Sequence, residues 1–424
     1  MLFLILIVIA YFIYSIVIPP RYPKIPTIPF YVSFLSSYTN LDQIDIYELY
    51  LREKLEKYGA VKIYFASRWN VLVSKPEYLL QVFKEDVYAK SGNHIKIPHS
   101  VLSTYTGDNV ISANGSLWKL YREVVTPSIQ FPDLSRIEEN SNNLELKSGF
   151  VTDPLQKFAL KNVGDAILGI NLIDLHQQIK FIKKQIFKPF YLNFPIFDIL
   201  RWRTKRRVEE FREEYGEMIK SGNKLAAKAL VNSNLTHKQF LDNAIILMVA
   251  GHENPLLLMQ SLLYVIAKYP DIQEKLKKGG PYVDAIIYET LRMFPPLGQI
   301  INRCTTKDVY LGNIYIPKGT YVGYHNLATG RDRNVWKDAD TFNPDRWGQG
   351  KEIYSNYLSA KRSARLPAFH GRKRACLGEK FALEEVRQFL KQVAKYNVSL
   401  DAEWNEKFTP AGPISPLNLK IIVS

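Results

Sequence analysis

The chain has only two cysteines in 424 residues, Cys304 and Cys376. They cannot make a disulfide framework, which places most of the protein in a reducing compartment. No second cysteine or histidine sits at finger spacing from Cys376, so zinc is a poor alternative there; His370 is the one nearby candidate and reads better as a loop residue. No internal repeat, low-complexity block or linker divides the chain. Acidic residues are in deficit: 41 Asp and Glu against 56 Lys and Arg, a net charge of +15. Such a surface favours anionic membrane, nucleic acid or an acidic protein face. Side-chain charge is absent from residues 1–18, "MLFLILIVIAYFIYSIVI". As a helix this run reaches about 27 Å, close to the core of a thin bilayer. No basic residue precedes it, as a cleaved signal peptide would want. Arg21 and Lys24 follow it, which predicts an uncleaved anchor with the body in the cytosol. Prolines at 19, 20, 23, 26 and 29 then predict a stiff hinge over 19–30.

What the chain does have is a large apolar share, 46%, enough for a large core. Apolar residues at 3.6-residue spacing predict a surface helix over 42–59. Residues 60–76 read as two strands around a turn at Arg68–Asn70, and 76–90 as helix. From about 115 to 300 nearly everything reads as helix, with loops at 127–132 and 279–281. Short strands return over 308–325, and a last helix runs from about 378 to 396. The expected fold is mainly α with small β-sheets. The stretch 180–207 interleaves Lys183, Arg201 and Arg207 with Phe181, Phe187 and Trp202. That pattern suits single-stranded nucleic acid, but no nucleic-acid module accompanies it. A second membrane-surface contact and a solvated helical face over core aromatics are the competing readings.

"FHGRKRACLG", residues 369–378, sets Cys376 beside Arg374 and just before a helix. Helix N-termini and nearby cations lower a thiol's pKa and make it a ligand. Gly371 and Gly378 let backbone approach something flat and bulky. "ETLR", residues 289–292, puts Glu289 and Arg292 on one helix face, and "FNPDRW" adds Arg346. "GSLWKLYR" sets an indole N–H, Trp118, and a guanidinium, Arg122, one helical turn apart. "AGHENP", within a long apolar helix, places Gly251, Glu253, Asn254 and Pro255 at an interruption.

Together these motifs resemble the cytochrome P-450 superfamily, in outline over residues 40–424. The resemblance implies a single large haem domain (31–424) behind an anchor (1–18) and a proline-rich hinge (19–30). It implies haem b, iron protoporphyrin IX, with Cys376 as the thiolate ligand that favours O–O cleavage. Phe369, Arg374 and Gly378 are its loop residues, and Trp118, Arg122, Arg303 and Arg374 its haem-propionate partners. Gly251, Glu253 and Asn254 fall in its oxygen-binding helix, where Glu253 would relay protons and Asn254 replaces the customary threonine. Two departures stand out. The family's glycine four before the cysteine is Arg372 here, and the stretches 123–249 and 277–288 run short. The implied partners are an NADPH-cytochrome reductase, a phenolic or lipophilic small molecule and the endoplasmic reticulum membrane, with no nucleic acid. "AGHENP", "GQIINRCTT" and "YIPKGTYVGY" look most like the fungal members that couple N-formyltyrosine into N,N'-bisformyl dityrosine for the spore wall. A membrane-bound monooxygenase hydroxylating a lipophilic molecule, and a haem-binding protein without turnover, are the alternatives.

Overall fold

The computed structural model describes residues 2–186 and 188–424. Met1 of the expected anchor and Phe187 of the basic–aromatic stretch lie outside the described residues. Among the described residues helix dominates, and ten short strands form three small sheets. β1 (Ala60–Phe65), β2 (Arg68–Val73), β3 (Tyr88–Lys90), β5 (Gln299–Thr305) and β8 (Tyr321–His325) make a five-stranded sheet in the order β1-β2-β8-β5-β3. The β2–β8 pair is parallel and the others antiparallel. β4 (Gly149–Phe150), β9 (Val398–Leu400) and β10 (Lys420–Val423) make a second sheet, and β6 (Val309–Leu311) pairs with β7 (Ile314–Ile316).

One helix organises the body. It runs over His237–Lys268, 32 residues, with Pro255 inside it. Thr236 caps its start by a capping box with Gln239. Its first half, Phe240 to Met248, packs in one apolar cluster; its second half, Leu256 to Ala267, packs in another. Residues 250–254 fall where the two cores part, so the apolar coat of the helix is interrupted beside a cavity. That interruption is legible in the sequence as Gly-His-Glu-Asn.

Several expectations shift. The β1–β2 turn lies at Ala66–Ser67, not Arg68–Asn70, because both residues take positive φ (52° and 62°) and close a two-residue hairpin. The helix beginning at Pro76 stops at Val82, and residues 88–90 are strand. Pro127 does not start a loop: the helix Gly115–Gln130 runs through it. β5 was hidden among residues expected to be helical or loop; its alternating burial follows Ile301, Arg303 and Thr305.

At the N-terminus a 16-residue helix, Leu2–Val17, rises about 24 Å. Among the described residues no helix is long and apolar enough to cross a membrane. Its C-terminal end rests on the body, where Trp69 Nε1 donates to Ser15 O (3.2 Å). Residues 19–30 lie along β1: Ile28 N donates to Lys62 O and Lys62 N to Pro26 O, both at 2.8 Å.

Candidate active site around Cys376

The cysteine loop is shaped by contact as much as by sequence. Cys376 N donates to Phe369 O (2.9 Å), closing the loop on itself. A Cβ at Gly371 would stand 2.6 Å from Phe83 Cδ2, so only glycine fits there. His370 and Arg372 take left-handed φ of 61° and 57°. The displaced glycine is thus explained. Gly371 serves the approach to Phe83, and Arg372 adopts the conformation that a glycine would take without strain.

The thiol opens into a cavity of about 280 Å³, and its exposed surface forms part of that cavity's wall. Burial pushes the Cys376 thiol up, while a Gly378 backbone hydrogen bond and the charges of Lys361 and Arg122 pull it down. Arg374 is not the activating cation expected from its spacing. Its guanidinium turns away, onto Glu85 and the carbonyls of Ala113 (2.7 Å) and Val110 (3.5 Å). A thiol held this way ionises on binding a metal, which deprotonates it outright.

Opposite, the cavity wall carries a cluster of cations. The helix Gly115–Gln130 presents Trp118 and Arg122 one turn apart, and both line the cavity. Arg374 lies 4.1 Å from the Trp118 ring centroid and Arg122 5.8 Å. Lys90 and Arg303 stand directly opposite each other in the β3–β5 register, an unfavourable pairing of like charges. Burial pushes Lys90 well below its ordinary value, aided by Arg303 and Arg374, and pushes Arg303 down to about 10. His370 is driven well below its range by burial and by Lys90 and Arg303, so it is neutral. Glu85 is the carboxylate that answers this group. Within this group Trp118 Nε1 and Arg303 Nε are buried without a partner, and of the two Trp118 lines the cavity. Unpaired N–H groups and surplus cations around a cavity are what a dianionic group would satisfy.

Beneath the cavity, Glu289 and Arg292 are fully buried. Arg292 Nη2 and Nε donate to the two Glu289 oxygens (2.8 and 3.0 Å). Arg346 Nε and Asn343 N add bonds to Glu289 Oε1 (2.9 and 2.8 Å), and Trp347 Nε1 reaches Oε2 (3.2 Å). Arg292 also donates to the carbonyls of Ala339 (2.8 Å) and Thr341 (2.9 Å). A buried pair satisfied on all sides is tolerable, and losing one partner costs about 3–5 kcal/mol. The network ties the Tyr282–Met293 helix to the segment that carries Arg346.

The family model described as Cytochrome P450 matches residues 23–279 and 280–416. The chain belongs to the cytochrome P450 family. Among curated relatives, Cytochrome P450-DIT2 of Saccharomyces cerevisiae is 45% identical, covering 90% of this chain and 88% of its own. Cytochrome P450 monooxygenase xanG of Aspergillus fumigatus is 32% identical, covering 87% of this chain and 81% of its own. Among solved structures the cytochrome P450DA heme domain superposes with a TM-score of 0.77 at 16% identity, covering 94% of this chain and 97% of that one. At that identity the likeness shows the fold alone, and it spans the haem-bearing scaffold despite the shortened stretches. This P450 is a haem-thiolate enzyme that uses haem b, with electrons from NADPH delivered by a redox partner.

The residues present fit the haem. Cys376, Trp118, Arg122 and Arg374 line the cavity while Arg303 stands outside its lining, so Cys376 would ligate the iron and Trp118, whose Nε1 has no partner, and Arg122 would hold the propionates. Gly378 and Phe369 line the same wall, and a Cβ on Gly378 would meet only Ile129 Cγ2, at 4.0 Å. Sequence reading missed Lys90 and set His370 aside as a loop residue, yet both line the cavity. No local spacing reveals Lys90; only the pairing of β3 with β5 brings it to Arg303. On the distal side Gly251 and Asn254 line the cavity, but Glu253 does not. Its carboxylate pairs with Lys183 of the His176–Ile186 helix (2.9 Å), because that helix crosses the outer face of residue 253. The structure thus places Glu253, the residue expected to relay protons, in an ion pair with Lys183 and outside the cavity lining.

Proposed function

We propose that this P450 joins two N-formyltyrosine phenols into N,N'-bisformyl dityrosine, in the building of a spore wall. The observation that carries this reading is the 45% identity with Cytochrome P450-DIT2 along nine-tenths of the chain. When bound, haem supplies the O₂-dependent oxidation: two phenols lose two hydrogens, NADPH gives two electrons, and O₂ leaves as two waters. The chain's own residues hold and orient. Asn254 lines the cavity with an amide that both donates and accepts, so it can hold a phenol or a water without giving up a proton. With Glu253 paired to Lys183, no carboxylate beside Asn254 lines the cavity. The walls from Ile246, Leu247, Leu258 and Leu291 exclude water from the aromatic rings.

The same apolar walls favour a second reading, hydroxylation of a lipophilic molecule. Mass spectrometry of the products formed from N-formyltyrosine, NADPH and a reductase separates the two. Coupling gives twice the substrate mass less two hydrogens; a product one oxygen heavier sinks the coupling reading.

An endoplasmic reticulum location, with the catalytic body on the cytosolic side, belongs to the same proposal. The N-terminal helix leaves Phe3, Ile7, Tyr11, Ile13 and Tyr14 exposed, and Ile196, Leu200 and Trp202 are exposed beside its packing partner Phe194. These apolar groups suit burial at a membrane surface. Residues 1–18 would serve as the anchor, 19–30 as the stiff connection and 31–424 as the catalytic domain. On the cysteine side, Arg372, Lys373 and Lys380 are exposed and suit an acidic flavin-containing NADPH-cytochrome reductase. Arg387 does not, since Asp284 and Glu384 already hold it.

A further inference from the structure

We propose that a polar chamber beside the haem cavity is the seat of the substrate's carboxylate, with Lys96 as its anchor. The substrate's identity rests on the N-formyl amino acid reading above; the anion site stands on its own geometry.

The chamber measures about 170 Å³ and is walled by the segment after β3, by residues 106–112, by Ile246 of the long helix and by Ile301–Asn302 of β5. It shares Lys90, Ile111, Ile246 and Asn302 with the haem cavity, so the two spaces adjoin. Lys96 lines the chamber but not the haem cavity, at 6% exposure. Its ammonium donates to Ile301 O, and an ammonium carries three donors, so two remain for a ligand. Among the described residues no carboxylate pairs with it. The charge it feels is Arg68, of the same sign, and burial with that charge brings Lys96 down to about 8. Ser91 Oγ, also in the chamber wall, is buried without a partner.

A buried cation facing an empty polar space costs stability unless an anion answers it. The cations around Lys90 form a separate group, in which Lys90 interacts with Arg303, Arg374 and Glu85 but not with Lys96. The dimensions suit one amino acid. Ile246, at the chamber, precedes Gly251, at the haem cavity, by about 7.5 Å along the helix axis. A carboxylate held by Lys96 leaves the side chain of the same molecule to reach the Gly251–Asn254 segment. An apolar cavity alone would not distinguish a free amino acid derivative from a neutral phenol, and Lys96 supplies that distinction.

The test is calorimetric titration of the haem-loaded enzyme with N-formyltyrosine, N-formylphenylalanine and the amide of each. Wild type, Lys96→Met and Lys96→Arg are compared, with haem content measured in every sample. Wild type is expected to bind each acid about tenfold or more tightly than its amide, one charge-assisted hydrogen bond's worth. Lys96→Met should lose that preference while keeping its haem and its affinity for the amides, and Lys96→Arg should recover part of it. Acid preference retained in Lys96→Met overturns the proposal. Lost haem with acid preference intact also overturns it, and would place Lys96 among the propionate partners. Failure of the coupling reading looks different: the acids still bind through Lys96, but no dimer forms.

Discussion

Arg372 shows how one residue records a conflict between two demands. The loop needs a left-handed residue four positions before the cysteine, and it needs no side chain at 371, where Phe83 presses in. The one glycine available goes to the tighter contact. A side chain at left-handed φ costs roughly 1–2 kcal/mol, and a glycine returns about 0.5–1 kcal/mol of that as unfolded-state entropy. Arg372→Gly is therefore expected to raise folding stability by about 0.5–1 kcal/mol, read as a higher denaturation midpoint. An unchanged or lower midpoint contradicts the strain. At this scale the sequence is readable where chemistry is carried by residue type: Glu289 and Arg292 pair along one helix, and Cys376 and Trp118 line one cavity. It is unreadable where a role depends on direction. Arg374 and Glu253 carry suitable charges, and both turn to partners, Glu85 and Lys183, far off in the chain.

Among the elements, the His237–Lys268 helix was legible from its apolar length, and the helix after Cys376 as the last helical stretch. β3 and β5 were not. A strand of three residues carries little period, and their importance comes from pairing, which sets Lys90 against Arg303. The contact between the Glu379–Val393 and Thr152–Val163 helices hides another such feature. Glu385 is fully buried there, with Oε1 accepting from Asn162 Nδ2 (2.9 Å) and Oε2 without a partner. Burial pushes its carboxyl up to about 8, against an ordinary value of 4.5. Between these pH values the folded protein holds a proton that the unfolded chain has released. Its contribution is present below pH 4.5 and is lost as pH rises through about 8. Glu385→Gln, which cannot ionise, should gain on wild type across that window, by at least about 1 kcal/mol from pH 5 to pH 8. Thermal unfolding of both proteins along the pH series checks this, and a constant difference between them rules it out.

For the whole molecule, two apolar cores meet along one helix, and the gap between them holds the chemistry. A cation-rich wall, an interrupted helix and a lone thiol close around that gap. Each feature has an ordinary explanation by itself; their convergence on one cavity makes them a haem site. The most direct measurement is the visible spectrum of the reduced protein under carbon monoxide, for wild type and for Cys376→His. Thiolate ligation predicts a main band far to the red in wild type, and a band moved to the histidine-ligated position in the variant. A wild-type band already at the histidine position, or one that the substitution leaves in place, would contradict Cys376 as the ligand.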